Sequence, residues 1–321
     1  MRSQEFLSLR WEDGGRPLIE PPRFSPLVAD PTFLFPEETP DGLWRLFAHS
    51  AWGIHSYGSE DGERWRDGGI VVRNAMRPFL RRIGDGFLLF YEKYPPLRLP
   101  LTVLPLRPRW RSRIEVRESR DLARWSAPKT AVLPELPWED AGALGESVGN
   151  PCLVGAGAEA AHPWRLYFSA SLVHVPDCGF EEPRLIGLAE ADAPTGPFMQ
   201  RPQPVIGPAW EGELGAGSVK VLRMEDGWIA LQNRITLDGS NRSRSALRIL
   251  ASEDGVSWRA AQDRPLLAPS TGWRSSHVYA CDVRFRPRDG RWYLYYNARD
   301  GWYKTEGRER IGRITAQALP S

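Results

Sequence analysis

Residues 282–299 read DVRFRPRDGRWYLYYNAR, and this stretch decides the fold. It predicts a strand containing Val283 and Phe285, a turn at Asp289-Gly290, and a second strand rich in aromatic residues. An Asp-Gly pair between two such runs is a strong signal for a β-hairpin. The same pattern occurs four more times, in residues 30–47, 77–91, 150–168 and 218–231. The chain therefore carries five copies of one hairpin.

A second pattern follows the hairpins, a Ser/Asp/Gly turn that ends in an aromatic residue. It occurs at residues 59–65, 119–125, 192–198 and 252–258, and the last strand of the fifth copy falls at residues 310–316. Such self-similarity is typical of repeat architectures. We predict an all-β fold, a single five-bladed β-propeller with four-stranded antiparallel blades around a central funnel, as one domain over residues 1–321. The recurring turns are interpreted as structural.

Two segments stand outside the repeat. Residues 1–27 are rich in Pro and Gly, and a candidate strand at residues 6–11 is expected to complete the last blade. The insert at residues 94–113 is rich in Pro and Arg, a composition typical of a surface loop. We interpret it either as a solvated excursion or as a lid or oligomer contact.

The composition is ordinary for a globular protein, with 41% hydrophobic and 26% charged residues. A net charge of +2 gives no argument for nucleic-acid binding, and no run approaches the roughly 18 apolar residues of a membrane span. The first residues contain no apolar secretory signal. Cys152, Cys178 and Cys281 form no CxxC pair, so we expect reduced thiols and a cytoplasmic location. The oligomeric state is left open.

Polar residues lie at or near the start of each predicted innermost strand. In a propeller these strands line the axis, so their first residues converge on one funnel. The residues concerned are Asp30, Arg77, Glu146 with Asn150, Glu213 with Ser218, and His277 with Asp282. Charged groups gathered in one concave place predict a binding or catalytic site.

Several short phrases carry a resemblance to a known family. They are Ala29-Asp30-Pro31, Asn150-Pro151, Glu213 and Lys220 with Asp226-Gly227-Trp228, and His277 and Asp282 with Trp292-Tyr293-Leu294. Together with the repeat layout over residues 25–316, they make the chain resemble the five-bladed propeller glycosidases of glycoside hydrolase family 43. The invertase-like and mannoside-phosphorylase-like families are relatives of that group.

The resemblance implies three acidic residues. Asp30 matches the general base that activates water, and Glu213 is the nearest counterpart of the general acid. The third acidic position, which orients the acid, reads Asn150 here, and Asn cannot supply the charge that raises a neighbour's pKa. Either Glu146 takes over this role or the machinery has changed. His277 matches a residue that helps to hold a central ion or water.

Arginine presents a rigid fork suited to carboxylate or phosphate groups, although internal ion pairs are the alternative role. The expected substrate contacts are Arg77, Asn150, Arg234, His277, Asp282 and Arg299. We expect a glycosidase-like enzyme that hydrolyses a small carbohydrate with inversion, the arginines suggesting an anionic sugar. No cofactor and no catalytic metal are expected, and a structural calcium ion on the axis is left open.

Two other functions remain alternatives at this point. A non-hydrolytic carbohydrate-binding propeller is favoured by Asn150 in place of an acid. Phosphorolysis, or another biosynthetic reaction on a small molecule, is favoured by the arginines.

Overall fold

The structure is a computed structural model that describes residues 1–96, 98, 109–157, 162–210 and 212–318. The centre of the insert at residues 94–113 lies outside the described residues. The structure therefore does not test the prediction of a surface loop, lid or oligomer contact there. At its end, β8 (Trp110–Arg111) pairs in parallel with β11 (Gly145–Glu146).

The described residues form five four-stranded antiparallel sheets besides the pair β8–β11, so the predicted five-bladed propeller is confirmed. The chain begins with helix α1 (Ser3–Leu7) and strand β1 (Trp11–Asp13). Blade 1 contains β2 (Ala29–Leu34), β3 (Trp44–Ser50), β4 (Gly53–Ser59) and β5 (Arg66–Arg73). Blade 2 contains β6 (Ala75–Ile83), β7 (Gly86–Lys93), β9 (Arg113–Ser119) and β10 (Lys129–Val132). Blade 3 contains β12 (Val148–Gly155), β13 (Trp164–Val175), β14 (Phe180–Ala191) and β15 (Met199–Gln200).

The last two blades follow the same plan. Blade 4 contains β16 (Glu213–Met224), β17 (Gly227–Leu237), β18 (Ser243–Ser252) and β19 (Arg259–Ala260). Blade 5 contains β20 (His277–Arg286), β21 (Arg291–Arg299) and β22 (Glu309–Gln317), with β1 as its fourth strand. Short 3-10 helices lie at Pro36–Glu38, Pro137–Glu139, Gly142–Leu144 and Gly272–Arg274.

The N-terminal segment closes the ring, as predicted, but its strand is shorter than the one expected at residues 6–11. Trp11 pairs with Ala316 of β22. Phe6 instead belongs to α1, whose first turn is capped by Glu5 accepting from the Arg2 backbone N–H at 2.8 Å. Phe6 is fully buried against Trp292, with ring centroids 5.0 Å apart. A single helical turn therefore buries this ring where a strand was predicted.

The apolar core lies between neighbouring blades, where one sheet packs on the next. The recurring Ser/Asp turns contribute to these contacts. Tyr295 of blade 5 donates its hydroxyl to the Gly62 carbonyl in the turn of blade 1, at 2.6 Å. Tyr167 of blade 3 donates in the same way to Gly255 in the turn of blade 4, at 2.7 Å. The turns thus link successive blades.

Each innermost strand is interrupted by a β-bulge at the same level. The bulged pairs are Asp30-Pro31, Arg77-Pro78, Asn150-Pro151, Ala216-Gly217 and Tyr279-Ala280. The φ angle is positive in four of them, at 52° for Asp30, 55° for Arg77, 47° for Asn150 and 59° for Gly217. A bulge bends the strand and re-aims a side chain.

Gly217→Ala is expected to destabilise the protein by about 2–3 kcal/mol, because the positive φ and a steric overlap both oppose a side chain. A Cβ atom at Gly217 would lie 2.1 Å from the Asn233 carbonyl oxygen. Chemical denaturation gives the free energy of unfolding. Gly14→Ala is the matched control, since nothing lies within 4 Å of its Cβ position. Equal stability of the two variants would contradict the prediction.

Candidate active site

A cavity of about 360 Å³ opens where the five bulges meet. Each blade contributes a residue of its bulge to the lining: Asp30, Arg77, Asn150, Gly217 and Tyr279. This volume lies within the range of about 300–1,000 Å³ found for small-molecule sites. The predicted convergence of the inner strands on one hollow is therefore present, and the bulge is the element that aims the side chains.

Asp30 lines the cavity beside Arg77 and His49. Burial raises its pKa, and the positive charges of Arg77 and Lys220 act against that rise. The Nδ1 atom of His49 is 3.2 Å from Asp30 Oδ2. Burial and the charge of Arg77 lower the pKa of His49 to about 3, so this imidazole is neutral at physiological pH. The Asp30 backbone N–H donates to Asn297 Oδ1 at 3.1 Å, which fixes the backbone of Asp30 to blade 5.

Arg77 is held in place by a buried carboxylate. Its Nη1 donates to Glu92 Oε2 at 2.7 Å, and Trp110 Nε1 donates to the other oxygen of Glu92 at 3.1 Å. A Cβ at Gly149 would lie 1.9 Å from Glu92 Oε2, so glycine is required beside this ion pair. The guanidinium is thereby fixed at the cavity wall next to Asp30.

Besides Glu181, the carboxyl groups of Glu182 and Glu309 line the cavity, and neither of these two was predicted from the sequence. Burial raises the pKa of Glu182 to about 7, against the charge of Arg77, with nearby Asp30 adding to the rise. Burial likewise raises the pKa of Glu309 to about 8, against the charge of Arg299. The Asn297 side-chain amide donates to Glu309 Oε1. Carboxyl groups perturbed in this way are typical of acid–base sites.

These two residues were missed because they lie on other strands than the innermost ones. Glu182 is on β14, the third strand of blade 3, and Glu309 begins β22, the third strand of blade 5. Strands β13 and β14 are each 12 residues long and extend over the cavity. The length of this hairpin is the signal that could have pointed to Glu182.

Of the predicted acids, Glu213 and Glu146 lie outside the cavity lining. Glu213 is buried in an ion pair, its Oε2 being 2.5 Å from Arg234 Nη2 and accepting from the Ala209 N–H at 2.8 Å. Arg234 is thus the partner of Glu213. Glu146 lies on β11, 3.7 Å from Arg109 and 3.9 Å from Arg111. The structure does not bring these acids to Asp30.

His277 and Asp282 also lie outside the lining, on the strand that provides Tyr279. The His277 ring stacks on Tyr279 with centroids 5.4 Å apart, and its Nε2 is 3.3 Å from Ser243 Oγ. Burial, with the charge of Arg299, lowers the pKa of His277 to about 4. Asp282 is fully buried and accepts two hydrogen bonds from Arg81, at 2.7 and 2.8 Å. In blade 5 the bulge comes at Tyr279-Ala280, so Asp282 lies deeper in the strand.

Asn150 and Arg299 do line the cavity, and both have partners within the protein. Asn150 Nδ2 donates to Ser169 Oγ at 2.9 Å. Arg299 donates to the backbone carbonyls of Gly301, Tyr303 and Lys304, at 2.9–3.0 Å. Arg299 therefore shapes the loop that forms one wall, and its charge remains inside the cavity.

Lys220 of β16 contacts the innermost strands of blades 2 and 3. Its Nζ donates to the Pro151 carbonyl at 3.3 Å and lies 5.0 Å from the centre of the Phe79 ring. Within the described part of the chain, no group of three or more His, Cys, Asp or Glu residues could hold a metal ion. None of the described helices is long and apolar enough to cross a membrane.

No protein-family model and no curated protein sequence matches the chain. Solved structures do match. The BT0996 RGII complex superposes with a TM-score of 0.71 at 14% identity, over 99% of this protein and 94% of that one. The catalytic domain of a Coprinopsis cinerea GH62 α-L-arabinofuranosidase gives 0.64 at 14%, over 96% and 97%. A thermostable family-43 glycoside hydrolase gives 0.61 at 12%, over 92% and 95%.

At these identities the likeness concerns architecture, because one fold can carry many activities. The resemblance inferred from the repeats is confirmed at that level. The chain has the five-bladed propeller fold of the family-43 and family-62 glycoside hydrolases.

Proposed function

We propose that this protein is a glycosidase-like enzyme that hydrolyses a glycosidic bond in the central cavity. One observation carries the proposal: the carboxyl groups of Asp30, Glu182 and Glu309 share one cavity, and burial raises the pKa of all three. Glycoside hydrolysis needs one ionised and one protonated carboxyl group on either side of the bond. Carboxyl groups with different charged neighbours have different pKa values, so one can act as the base and another as the acid.

Asp30 is the proposed general base. The charges of Arg77 and Lys220 both favour the ionised form of Asp30. The ionised form of Glu182 is favoured by the charge of Arg77. Glu182 is the proposed general acid, because its pKa of about 7 keeps much of it protonated at neutral pH. The two residues come from blades 1 and 3, which are not neighbours in the ring. Such placement suits the separation of about 6.5–9.5 Å that leaves room for water in an inverting enzyme.

The reaction then proceeds in one displacement. Asp30 takes a proton from a water molecule as the water oxygen attacks the anomeric carbon. Glu182 gives its proton to the departing glycosidic oxygen, so the bond breaks without a free alkoxide. The configuration at the anomeric carbon inverts. Glu309 is the third carboxyl group, and in its protonated form it donates a hydrogen bond to a sugar hydroxyl.

The charge of Arg299 supports an anionic sugar as substrate. Arg299 lines the cavity, and the carbonyl oxygens that hold it do not cancel its charge. Glu309, whose ionised form Arg299 favours, is itself largely protonated at neutral pH because its pKa is about 8. Arg77 also lines the cavity, but Glu92 balances its charge. A guanidinium charge at the wall favours a sugar carboxylate or phosphate.

The pH dependence of kcat/KM is expected to show a falling limb at about pH 7. The general acid must be protonated, and raising the pH through the pKa of Glu182 removes that proton. Glu182→Gln should remove this limb and lower kcat/KM roughly 10²–10⁴-fold. A 2,4-dinitrophenyl glycoside, whose leaving group needs no proton, should recover most of the rate. A falling limb that persists in Glu182→Gln would assign the acid elsewhere.

The function is tested with a panel of 4-nitrophenyl glycosides of neutral hexoses, hexuronic acids and phosphorylated hexoses, each with and without inorganic phosphate. Turnover without phosphate, with an inverted product seen by NMR, supports the proposal. Turnover that requires phosphate would show phosphorolysis instead. Binding of these compounds without turnover would show a carbohydrate-binding protein.

A further inference from the structure

Two exposed aromatic side chains stand at the mouth of the cavity. Phe24 is 76% exposed and Trp52 is 40% exposed, and both line the cavity. The Trp52 indole N–H donates to the Phe24 carbonyl at 3.1 Å, so the two residues are held together. Large rings are mostly buried in proteins, and a pair left exposed beside a cavity marks a binding surface.

The backbone of Phe24 is in a conformation that bulky residues rarely adopt. It lies in the turn from Pro22 to Ser25, where the Ser25 N–H donates to the Pro22 carbonyl at 3.0 Å, and its φ is 66°. Glycine and asparagine are the usual residues at such a φ. The turn is fixed to blade 1 because the Ala51 N–H donates to Ser25 Oγ at 3.1 Å. A strained backbone that presents an exposed ring points to ligand contact rather than packing.

The opposite side of the mouth is closed by loops that are bonded to one another. Asp177, between β13 and β14, accepts from the Ser243 N–H of blade 4 at 2.7 Å and from Trp302 Nε1 of blade 5 at 2.8 Å. The Lys304 backbone N–H donates to the Cys178 carbonyl at 2.8 Å. The loops of blades 3, 4 and 5 thus form one continuous wall. Phe24 and Trp52 line the cavity on the side of blade 1, away from this wall.

We propose that Phe24 and Trp52 form a platform for a second sugar ring, so that the substrate is an oligosaccharide with one ring inside the cavity and the next on the rim. The apolar face of a pyranose packs on an aromatic ring, as other apolar surfaces do. Arg23 lies over the Phe24 ring, 4.6 Å from its centre, and steadies it. This inference rests on the proposed function and adds the size of the substrate.

Binding to a glycan array of mono-, di- and trisaccharides of neutral hexoses and hexuronic acids tests the platform. The protein used is the full chain carrying Asp30→Asn, which slows hydrolysis, and the best disaccharide and its monosaccharide are then titrated by calorimetry. Adding Phe24→Gly should lower the ratio of disaccharide to monosaccharide affinity about 3- to 10-fold, the range that one aromatic contact provides. Glycine accepts the positive φ without strain, so the variant folds.

Phe285→Ala is the control, because Phe285 is another exposed ring but lies outside the cavity lining. The ratio should not change in this variant. Glycan binding whose disaccharide preference survives Phe24→Gly would overturn the platform and leave the proposed function intact. An array without any bound glycan would overturn the proposed function, and the platform with it.

Discussion

Asp30→Asn is expected to lower kcat by about 10²–10⁴-fold, the contribution typical of a positioned general base. The amide has the size of the carboxyl group but cannot take a proton from water. Arg77 and Lys220, which favour the ionised form of Asp30, stay in place, and so does the hydrogen bond from the Asp30 backbone to Asn297. The value of KM should therefore change little. Steady-state kinetics on the aryl glycoside found active in the panel measures both constants.

Asp192→Asn is the matched control, since this carboxylate is 83% exposed and lies outside the cavity lining. Added azide should restore turnover to the Asp30→Asn enzyme by attacking the anomeric carbon in place of water, giving a glycosyl azide of inverted configuration. An Asp30→Asn enzyme that keeps wild-type kcat would rule out Asp30 as the base.

Asp282→Leu is expected to lower the free energy of unfolding by about 3–5 kcal/mol, because it leaves the Arg81 guanidinium buried without its counter-charge. Asp282 also accepts from Thr32 Oγ1 at 2.9 Å and from the Phe33 N–H at 3.2 Å. These contacts tie the inner strands of blades 5, 1 and 2 together. Burial alone would raise the pKa of Asp282, but the charge and hydrogen bonds of Arg81, together with the charges of Lys220 and Arg284, outweigh burial and lower the pKa.

The double variant Arg81→Met/Asp282→Leu separates charge from packing. Replacing both ions by apolar groups of similar size is often close to neutral, so the double variant should be more stable than Asp282→Leu alone. Urea denaturation of the wild type and the two variants gives the three free energies. A double variant as unstable as the single one would show that the hydrogen bonds to blade 1, rather than the ion pair, stabilise the axis.

The fold was predictable because the hairpin signal is local and repeated. The Asp-Gly turn of residues 282–299 forms between β20 and β21, with Gly290 at a φ of 65°. The strand that closes the ring begins later than predicted. The position of a single aromatic residue, Phe6, does not show whether a short segment is a one-turn helix or a strand.

The site was predictable only where the bulge falls on a polar residue followed by proline. Asp30-Pro31, Arg77-Pro78 and Asn150-Pro151 share such a pattern, and all three first residues line the cavity. In blades 4 and 5 the bulge falls on Ala216-Gly217 and Tyr279-Ala280, which carry no acid. The sequence pattern favours nearby polar residues instead, such as Glu213 and Asp282. Their ion pairs with Arg234 and Arg81 are long-range contacts that no local pattern reveals.

Closure of the ring by β1 has a consequence for folding. The partners Trp11 and Ala316 are about 300 residues apart in the chain, so β22 is an open sheet edge until the two ends of the domain meet. Contacts over such a span form slowly, and an open edge accepts a strand from any chain that offers one. Two molecules refolding at high concentration are therefore expected to exchange β1, giving domain-swapped dimers that size-exclusion chromatography separates from the monomer.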